Sequence, residues 1–300
     1  MKVAFSPVYS YNRLPEGHRF PMEKYDLLPQ QLLHEGTLTE ADFFAPGLLS
    51  EEEILRTHSL DYWTKLKEGT LSTKEIRAMG FPYHESLISR GRYISKGTLE
   101  CAHHALKDGV ALNIAGGTHH AYANRGEGFC IFNDFAITAN ELLHHQVVQQ
   151  ILIVDLDVHQ GNGTAKIFEN RPEVFTFSLH GANNYPLKKE ISDLDIGVPD
   201  KINDADYIHI LAEHLEPTID NVQPDIILYL SGVDILATDK LGRLGVSIQG
   251  CKKRDEMVFE ACHRRQIPVI ASMGGGYSVH IRDIVEAHAN TFRVAKGIFE

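Results

Sequence analysis

The sequence predicts an α/β fold in which a parallel β-sheet lies between two layers of helices. Five apolar runs have the length of strands, and most are continuously apolar, as expected for strands buried on both faces of a sheet. Segments with helical periodicity alternate with these runs, which favours a three-layer arrangement. The runs cover 110–115, 151–158, 173–179, 225–231 and 267–272. Because no low-complexity linker or repeat interrupts the sequence, we expect a single domain over residues 1–300.

Local signals mark two helices before the first of these strands. Ser50 and Glu53 have the spacing of a capping box just ahead of Ile54, which predicts a helix start at this point. Apolar residues at helical intervals predict a long helix over 84–107. The remaining helices are expected between successive strands.

Composition limits the class of protein. The 300 residues, 43% of them hydrophobic, are enough to bury a large core. The formal net charge of -11 and the lack of a basic stripe argue against direct binding to nucleic acid, which depends on clustered lysine and arginine. No apolar stretch has the length of a signal peptide or a membrane span, so we expect no membrane insertion and a cytoplasmic location.

The cysteines and most of the histidines carry no site signal of their own. None of the four cysteines belongs to a Cys-x-x-Cys pair, which disfavours a structural zinc site or a disulfide framework and suits a reducing compartment. They are Cys101, Cys130, Cys251 and Cys262. The histidine pairs at 103–104 and 144–145 are expected at solvated helix positions.

Four polar clusters follow four of the predicted strands directly. In open α/β sheets the binding crevice lies at the carboxyl ends of the strands, so these clusters are expected to meet in one crevice. They cover 116–120, 155–159, 232–234 and 274–277.

One cluster has the composition of a metal-ligand set. As part of a strand, Asp155, Asp157 and His159 would project to one side, and such buried groups need a cation or hydrogen bonds to compensate them. Asp157, His159 and Asp234 would supply two oxygen ligands and one nitrogen ligand and leave a position open, as a catalytic zinc site requires. A capped strand end with an ion pair is the alternative for Asp157 and His159, and a turn residue or helix cap is the alternative for Asp234.

Two further groups could act beside such a metal. His119 and His120 are candidates for general acid and base catalysis, because imidazole titrates near neutral pH. Asp155 and Asn162 are their candidate hydrogen-bond partners. Tyr277, presented by three glycines, could donate a hydrogen bond to a developing oxyanion. The alternatives are a surface histidine pair and a buried tyrosine beside a flexible loop.

Five motifs together resemble the zinc-dependent histone deacetylase family, and their order and spacing agree over nearly the whole chain. The motifs are Gly-Gly-Thr-His119-His120-Ala, Gly128-Phe129-Cys130-x-x-Asn133-Asp134, Asp155-x-Asp157-x-His159-Gln-Gly-Asn162-Gly, Gly232-Val-Asp234 and Gly-Gly-Gly-Tyr277. The segments 183–186 (Asn-Asn-Tyr-Pro) and 192–197 (Ser-Asp-Leu-Asp-Ile-Gly) look most like class IV and its bacterial relatives.

The resemblance implies both a fold and a set of site residues. The fold is the arginase/deacetylase fold, an eight-stranded parallel sheet between helices. Asp157, His159 and Asp234 match the zinc ligands of the family, and Tyr277 matches the residue that polarises the scissile carbonyl.

The resemblance also assigns the paired histidines. It implies that His120 is the general base and acid with Asn162 as its partner, and that His119 pairs with Asp155. Class I members carry Asp at the position of Asn162, so the partner of His120 is uncharged in this chain.

Further positions are implied to bind potassium or to line the acyl-lysine channel. Potassium in family members lies near the residue that matches Asp155, and Ser178 and Leu179 match the same site. The matching channel residues are Gly128, Phe129, Gly275 and Gly276. Lys24 falls near the place where class I enzymes carry an arginine in an internal channel, and its role is left open.

The implied activity is hydrolysis of an ε-amide of lysine by a water molecule that zinc and His120 activate. The substrate would be a protein or peptide with an acetyl group on lysine, and the likeness to class IV extends the expectation to longer acyl groups. Fe²⁺ is as compatible with these ligands as Zn²⁺.

Three alternatives stay open on the sequence alone. The same machinery would hydrolyse acetylated polyamines or other small acetylated amines, although no inserted loop that would narrow the channel is recognised. A binuclear manganese ureohydrolase needs further aspartates where this chain has Gln160 and Asn162. A non-catalytic module that binds acyl-lysine is disfavoured by the complete set of ligands, histidines and Tyr277. The oligomeric state is open as well.

Overall fold

The computed structural model describes residues 1–300 and contains one sheet of eight strands. The strands are β1 (Lys2–Ala4), β2 (Phe43–Phe44), β3 (Val110–Asn113), β4 (Ile151–Asp155), β5 (Val174–Gly181), β6 (Leu194–Val198), β7 (Ile226–Leu230) and β8 (Val269–Ser272). Neighbouring strands are parallel throughout, in the order β2-β1-β3-β8-β7-β4-β5-β6. The eight-stranded parallel sheet implied by the family resemblance is therefore confirmed.

Ten α-helices connect the strands and cover the sheet. They are α1 (Lys24–His34), α2 (Glu51–Leu55), α3 (Leu60–Glu68), α4 (Thr73–Met79), α5 (Glu85–Asp108), α6 (Asp134–His144), α7 (Asn162–Phe168), α8 (Asp204–Val222), α9 (Ile248–Arg265) and α10 (Ile281–Phe299). None of them combines the length and the apolar character that crossing a membrane would require.

Both faces of the sheet are buried, which explains the continuously apolar strands. In β4, Leu152 and Val154 belong to a core of 63 residues, whereas Ile151 and Ile153 belong to a second core of 18 residues. Side chains of α9 and α10 fill the larger core, and side chains of α6 fill the smaller one. The predicted three-layer α/β class is confirmed. The single domain over residues 1–300 stays a prediction, which this continuous sheet supports.

The sequence located the central strands but not the edges. The five predicted strands correspond to β3, β4, β5, β7 and β8. Three strands were not predicted from apolar runs, because β1 and β2 have only three and two residues and β6 alternates exposed with partly buried residues at the sheet edge. Strands this short fall below the length at which a pattern can be recognised.

The strand predicted over 151–158 is three residues too long, because residues 156–158 lie outside β4. β4 ends at Asp155. Beyond it, the Asp157 N–H donates to Asp155 Oδ1 (3.1 Å) and the His159 N–H donates to Asp157 Oδ1 (3.0 Å). The carboxylates thus replace the sheet as partners of the backbone, as aspartate side chains do in turns. Asp157 and His159 therefore project from a loop rather than from one face of a strand.

The helix signals agree with the structure. Ser50 and Glu53 form the predicted capping box, with Ser50 N to Glu53 Oε2 at 2.6 Å and Glu53 N to Ser50 Oγ at 3.2 Å. The helix predicted over 84–107 is α5. It starts one residue later, after the His84 side chain caps its first turn, and ends one residue later, where Gly109 donates to Ala105.

The sheet order brings the four polar clusters together. The strands that precede them are β3, β4, β7 and β8, which are four adjacent strands at the centre of the sheet. Because parallel strands end at the same edge, the four following loops meet in one crevice. The expected position of the crevice is confirmed.

Candidate active site

The loop after β3 carries the two adjacent histidines and is held by Asp134, the first residue of α6. The Asp134 carboxylate accepts hydrogen bonds from the backbone N–H groups of Gly117 (3.0 Å) and Thr118 (2.8 Å). Gly117 has a φ of +71°, and a Cβ there would lie 2.8 Å from the backbone of Gly274 in the loop after β8. Glycine therefore allows the two loops to approach each other.

His119 and His120 are buried side by side, but their surroundings give them different protonation states. His119 Nδ1 lies 2.7 Å from Asp155 Oδ2. Burial alone would lower the pKa of His119, but Asp155 and Asp157 raise it to about 9. His120 Nδ1 lies 2.6 Å from Asn162 Oδ1, and burial together with the neighbouring His119 holds the pKa of His120 well below its ordinary value. At neutral pH, His119 is therefore a cation and His120 is a neutral base.

The three predicted metal ligands converge at the ends of β4 and β7. One ligand atom from each of Asp157, His159 and Asp234 lies within 4.8 Å of the other two, and all three side chains are buried. His159 Nδ1 is 3.0 Å from Asp157 Oδ1 and 3.1 Å from Asp234 Oδ2. The other oxygens of these carboxylates accept backbone N–H groups of Gly275 (2.8 Å) and Val158 (3.0 Å). Backbone N–H groups of neighbouring loops thus hold one oxygen of each carboxylate, and the other oxygen of each lies beside His159 Nδ1.

This donor set fits a divalent cation. Burial and the nearby Asp157 carboxylate raise the pKa of Asp234 to about 7, because two acids so close together repel each other when no positive charge compensates them. Two oxygens and one imidazole nitrogen with room for a further ligand are what a catalytic zinc site uses. The backbone N–H groups behind the carboxylates orient them, as outer partners do in metal sites.

Tyr277 lines the same cavity as His120 and His159. Its backbone N–H donates to Asp239 Oδ2 at 2.6 Å, which fixes the turn after the glycines. Burial and the nearby Asp234 carboxylate hold the pKa of Tyr277 well above its ordinary value. The phenol therefore stays protonated and can act as a hydrogen-bond donor.

Two cavities meet at the candidate metal site. The inner cavity is the one that Tyr25 and Ile94 line, and the outer cavity is the one that Arg19 and Arg77 line. The residues that line both cavities are Gly128, Phe129, His120, His159 and Tyr277. Gly128 has a φ of +55°, and a Cβ there would lie 2.6 Å from the His120 ring. The segment that forms the cavity wall therefore also contacts the candidate base.

Of the two glycines assigned to the channel with these residues, the structure brings only one to a cavity. Gly275 lines the inner cavity. Gly276 lines neither cavity, and a Cβ there would lie 2.6 Å from Val233 and 3.3 Å from His288. A channel role for Gly276 stays a prediction, although Tyr277 directly after it lines both cavities.

Lys24, whose role the sequence left open, is buried beneath the loop after β8. Its Nζ donates to the carbonyl oxygen of Gly274 at 3.1 Å and lies 5.8 Å from the centre of the Tyr277 ring. Burial lowers the pKa of Lys24 to about 8, although Asp234 and Asp157 oppose this shift. The side chain thus supports the loop that carries Tyr277.

The residues matched to the potassium site are neighbours in the sheet. Asp155 and Ser178 are paired across β4 and β5, and Leu179 follows in β5. The Ser178 hydroxyl lies 2.9 Å from His180 Nδ1. Potassium binding at this place stays a prediction.

Some residues that shape the site were not predicted. Arg254 in α9 is fully buried and donates to the carbonyl oxygens of Leu156 (3.3 Å), Ser231 (3.1 Å) and Gly232, so it holds the loops after β4 and β7. Glu127 accepts a hydrogen bond from Asn162 at 3.1 Å. An arginine in a polar helix is indistinguishable by sequence from a solvated one, whereas Glu127 could have been noted because it lies between two glycines next to Phe129.

Comparison with known proteins agrees with this geometry. The histone deacetylase domain family matches residues 18–292. The chain is 41% identical over 297 residues to an uncharacterized protein of Picosynechococcus sp., covering 99% of each chain. It is 28% identical to histone deacetylase 2 of Arabidopsis thaliana, covering 92% of this chain and 74% of that one. It is 29% identical to the acetoin utilization protein AcuC of Staphylococcus aureus, covering 89% of this chain and 74% of that one.

Solved structures show the same fold. A histone deacetylase homologue in complex with SAHA superposes with a TM-score of 0.85 at 24% identity, covering 99% of this chain and 84% of that one. The HD domain of HDA15 superposes with a TM-score of 0.83 at 20% identity, covering 99% and 91%. With the family match extending over almost the whole sequence, the chain belongs to the histone deacetylase family, whose members are amide hydrolases.

Proposed function

We propose that this protein is a zinc-dependent deacylase that removes acetyl or longer acyl groups from the ε-amine of lysine. The observation that carries the proposal is the convergence of Asp157, His159 and Asp234 on one point in a cavity that His120 and Tyr277 also line. Ligands, a base and a hydrogen-bond donor around one cavity are the parts that metal-assisted amide hydrolysis needs.

The roles of the side chains follow from their protonation. A zinc ion held by Asp157, His159 and Asp234 would lower the pKa of a water molecule and polarise the amide carbonyl. His120 is neutral, so it can take a proton from the attacking water and return it to the lysine nitrogen as the C–N bond breaks. Tyr277 is protonated and can donate to the oxyanion that forms at the carbonyl.

The outer cavity supports lysine as the amine that leaves. Phe129, Tyr185 and Tyr277 contribute aromatic side chains to its wall, and such a wall suits the apolar methylene groups of a lysine side chain. The acyl group would then reach the inner cavity, which Tyr25 and Ile94 line beyond the metal ligands.

Charge at the entrance favours a peptide over a polyamine. Arg19 and Arg77 line the outer cavity, and its only carboxylate, Glu127, is paired with Arg125. A polyamine carries several positive charges, which these arginines would repel. Small acetylated amines remain the alternative substrate for the same machinery.

One experiment tests the activity and the substrate together. Zinc-loaded and iron-loaded protein is incubated with a lysine peptide that carries an acetyl, butyryl, octanoyl or myristoyl group, and in parallel with an acetylated polyamine. Cleavage of the peptide that a chelator abolishes supports the proposal, and the best acyl length reports the depth of the inner cavity. Cleavage of the acetylated polyamine but not of the peptide would show that small acetylated amines are the substrate. Binding of acyl-lysine without turnover would support a binding module instead.

We also propose that potassium binds beside Asp155, where Ser178 is the partner of Asp155 in the neighbouring strand. A cation there would offset the negative charge of Asp155 next to His119. Replacing potassium by a larger organic cation in the assay should then lower activity and the melting temperature. An identical activity and melting temperature in both salts would refute potassium binding.

The cytoplasmic location stays a prediction.

A further inference from the structure

We propose that Glu127 is a positioning residue that fixes the amide of Asn162 and, through it, the tautomer of His120. The inference rests on the proposed function, because it concerns the base of that reaction. Glu127 lies in the segment that forms the cavity wall, directly before Gly128, and its side chain is 17% exposed.

Asn162 is buried at the start of α7 and uses every polar atom of its amide. Its Oδ1 is 2.6 Å from His120 Nδ1. Its Nδ2 is 3.1 Å from Glu127 Oε1 and 3.0 Å from the hydroxyl of Tyr122. The two N–H groups of an amide nitrogen thus have one acceptor each.

The chemistry of these neighbours decides which way the amide points. A carboxylate can only accept, so the side of the amide that faces Glu127 must be the nitrogen. Tyr122 can accept from Asn162 because its own proton goes to Glu190 Oε1, at 3.2 Å. The amide oxygen is therefore left to face His120.

The orientation of the amide sets the tautomer of the base. Because an oxygen faces His120 Nδ1, that nitrogen carries the proton and Nε2 keeps a free electron pair. With the amide reversed, an N–H group would face Nδ1 and the proton would move to Nε2. That tautomer cannot take a proton from water, so the reversed amide would leave the site without its base.

Several contacts hold Glu127 in this position. Arg125 Nε donates to Glu127 Oε2 at 3.1 Å, and the hydroxyl of Tyr185 donates to Oε1. The Arg125 guanidinium stacks 3.4 Å over the ring of Tyr122, the other acceptor of Asn162. The Glu127 N–H also bonds to the Cys130 carbonyl at 3.0 Å, which closes the turn.

Glu127 also supplies a negative charge next to Asn162, the neutral partner of His120. Asn162 is neutral, so it cannot stabilise a protonated His120 as a carboxylate at the same position would. A carboxylate that accepts from the far side of the amide polarises it toward His120, because linked hydrogen bonds reinforce one another in a low dielectric. His120, Asn162 and Glu127 thus form one chain of hydrogen bonds that ends in a negative charge.

Exchanging the amide and the carboxylate between positions 162 and 127 tests this arrangement. Asn162→Asp alone places an oxygen against Glu127, and we expect kcat to fall by about 10-fold or more with KM little changed, because general base catalysis is worth roughly 10²–10⁴-fold. Adding Glu127→Gln provides an N–H group for the new carboxylate, so the double variant should recover most of the lost kcat. Glu127→Ala should lower kcat without recovery by Asn162→Asp.

The matched control is Glu53→Ala. Glu53 has similar exposure, 15%, and is also ion-paired, with Lys96, but it lies in α2 away from the cavity. Its loss should lower the melting temperature and leave kcat unchanged. This separates a loss of stability from a loss of positioning.

The tautomer itself is measured by ¹⁵N NMR of the histidine rings in zinc-loaded protein. We expect His120 to have a protonated Nδ1 and an unprotonated Nε2 in the wild type, and a changed or mixed pattern in Glu127→Ala. An unchanged tautomer in Glu127→Ala would overturn the proposal. Equal kcat in the single variant Asn162→Asp and in the double variant with Glu127→Gln would overturn it as well. If the wild type hydrolyses no acyl-lysine, the proposed function fails, whereas the NMR result still decides the role of Glu127.

Discussion

The two adjacent histidines of this site differ in protonation although they are the same type of residue. His119 and His120 are adjacent and equally buried, yet Asp155 and Asp157 raise the pKa of His119 to about 9, whereas burial and the neighbouring His119 hold the pKa of His120 well below its ordinary value. One histidine therefore contributes a fixed positive charge and the other an electron pair. This division of roles depends on partners that lie in other elements of the fold.

The hydroxyl of Tyr277 should matter for turnover rather than for folding. Tyr277→Phe is expected to lower kcat by about 10²–10³-fold, as the loss of one oxyanion donor does, with a small change in KM. Steady-state kinetics on the best acyl-lysine peptide measures this. Tyr207→Phe is the control, because Tyr207 in α8 is a buried tyrosine whose hydroxyl has no partner in the protein. Equal kcat for Tyr277→Phe and wild type would refute the role.

His58 should make stability depend on pH. It is buried, donates through Nδ1 to the Tyr122 carbonyl (3.0 Å) and accepts the Asn133 N–H at Nε2 (3.1 Å), and burial lowers its pKa to about 4. Since the unfolded chain takes up the proton near pH 6.5, the free energy of unfolding should fall by about 3 kcal/mol as pH drops from 6.5 to 4. Above pH 6.5 this contribution is fully present.

Urea unfolding at several pH values checks this expectation. His58→Gln should be less stable at neutral pH and should show a shallower decline between pH 6.5 and 4. His34→Gln is the control, because His34 is exposed at the end of α1. The same pH slope in His58→Gln and wild type would contradict the prediction.

At the scale of elements, the site is built from loops that follow the four central strands. The helices hold these loops from behind, with Asp134 of α6 binding the histidine loop and Arg254 of α9 binding the loops after β4 and β7. The loop after β8 approaches the ligand carboxylates with its backbone alone. Such close approach is possible only where side chains are absent.

Gly275→Ala should therefore disrupt the metal site. A Cβ at Gly275 would lie 1.9 Å from Asp234 Oδ2, so the loop or the carboxylate must move, and metal affinity should fall by about 10–100-fold or more. Metal content after dialysis against a buffered zinc solution measures the loss.

Gly297→Ala is the control for that variant. Apart from its chain neighbours and the backbone of its own helix, nothing lies within 4 Å of a Cβ at this position in α10, and alanine favours a helix by about 1 kcal/mol over glycine. It should bind metal normally and melt at an equal or higher temperature. Normal metal content in Gly275→Ala would contradict the proposed packing.

At the scale of the whole molecule, the metal should contribute to the stability of the fold. The ligands come from the ends of β4 and β7, and the unfolded chain cannot bring them together, so the ion binds the folded state preferentially. At a free metal concentration of about 100 times Kd, this stabilises the protein by about 2.7 kcal/mol.

Thermal unfolding with zinc and with chelator tests this contribution. We expect the chelator to lower the melting temperature by several degrees, and readdition of zinc to restore both stability and activity. In Asp157→Asn the melting temperature should respond little to zinc, because one ligand charge is lost. A wild-type melting temperature that is the same with zinc and with chelator would show that no metal links β4 to β7.

Local sequence patterns were enough to predict the five central strands of the sheet and most residues of the candidate site. Continuous apolar runs identified β3, β4, β5, β7 and β8, because strands buried on both faces need apolar residues at every position. Polar residues directly after such strands indicated the crevice, and the spacing of five motifs indicated the family. These inferences use neighbours in the sequence, which is why they could be made without coordinates.

The folded structure was needed for the remaining features. It showed that Asp157 and His159 lie in a loop, that Arg254 holds the loops after β4 and β7, and that Glu127 accepts a hydrogen bond from Asn162. It also decided which histidine carries the charge. Burial, protonation and hydrogen-bond direction depend on groups that are distant in sequence, and these groups become neighbours only when the parallel strands end at one edge of the sheet.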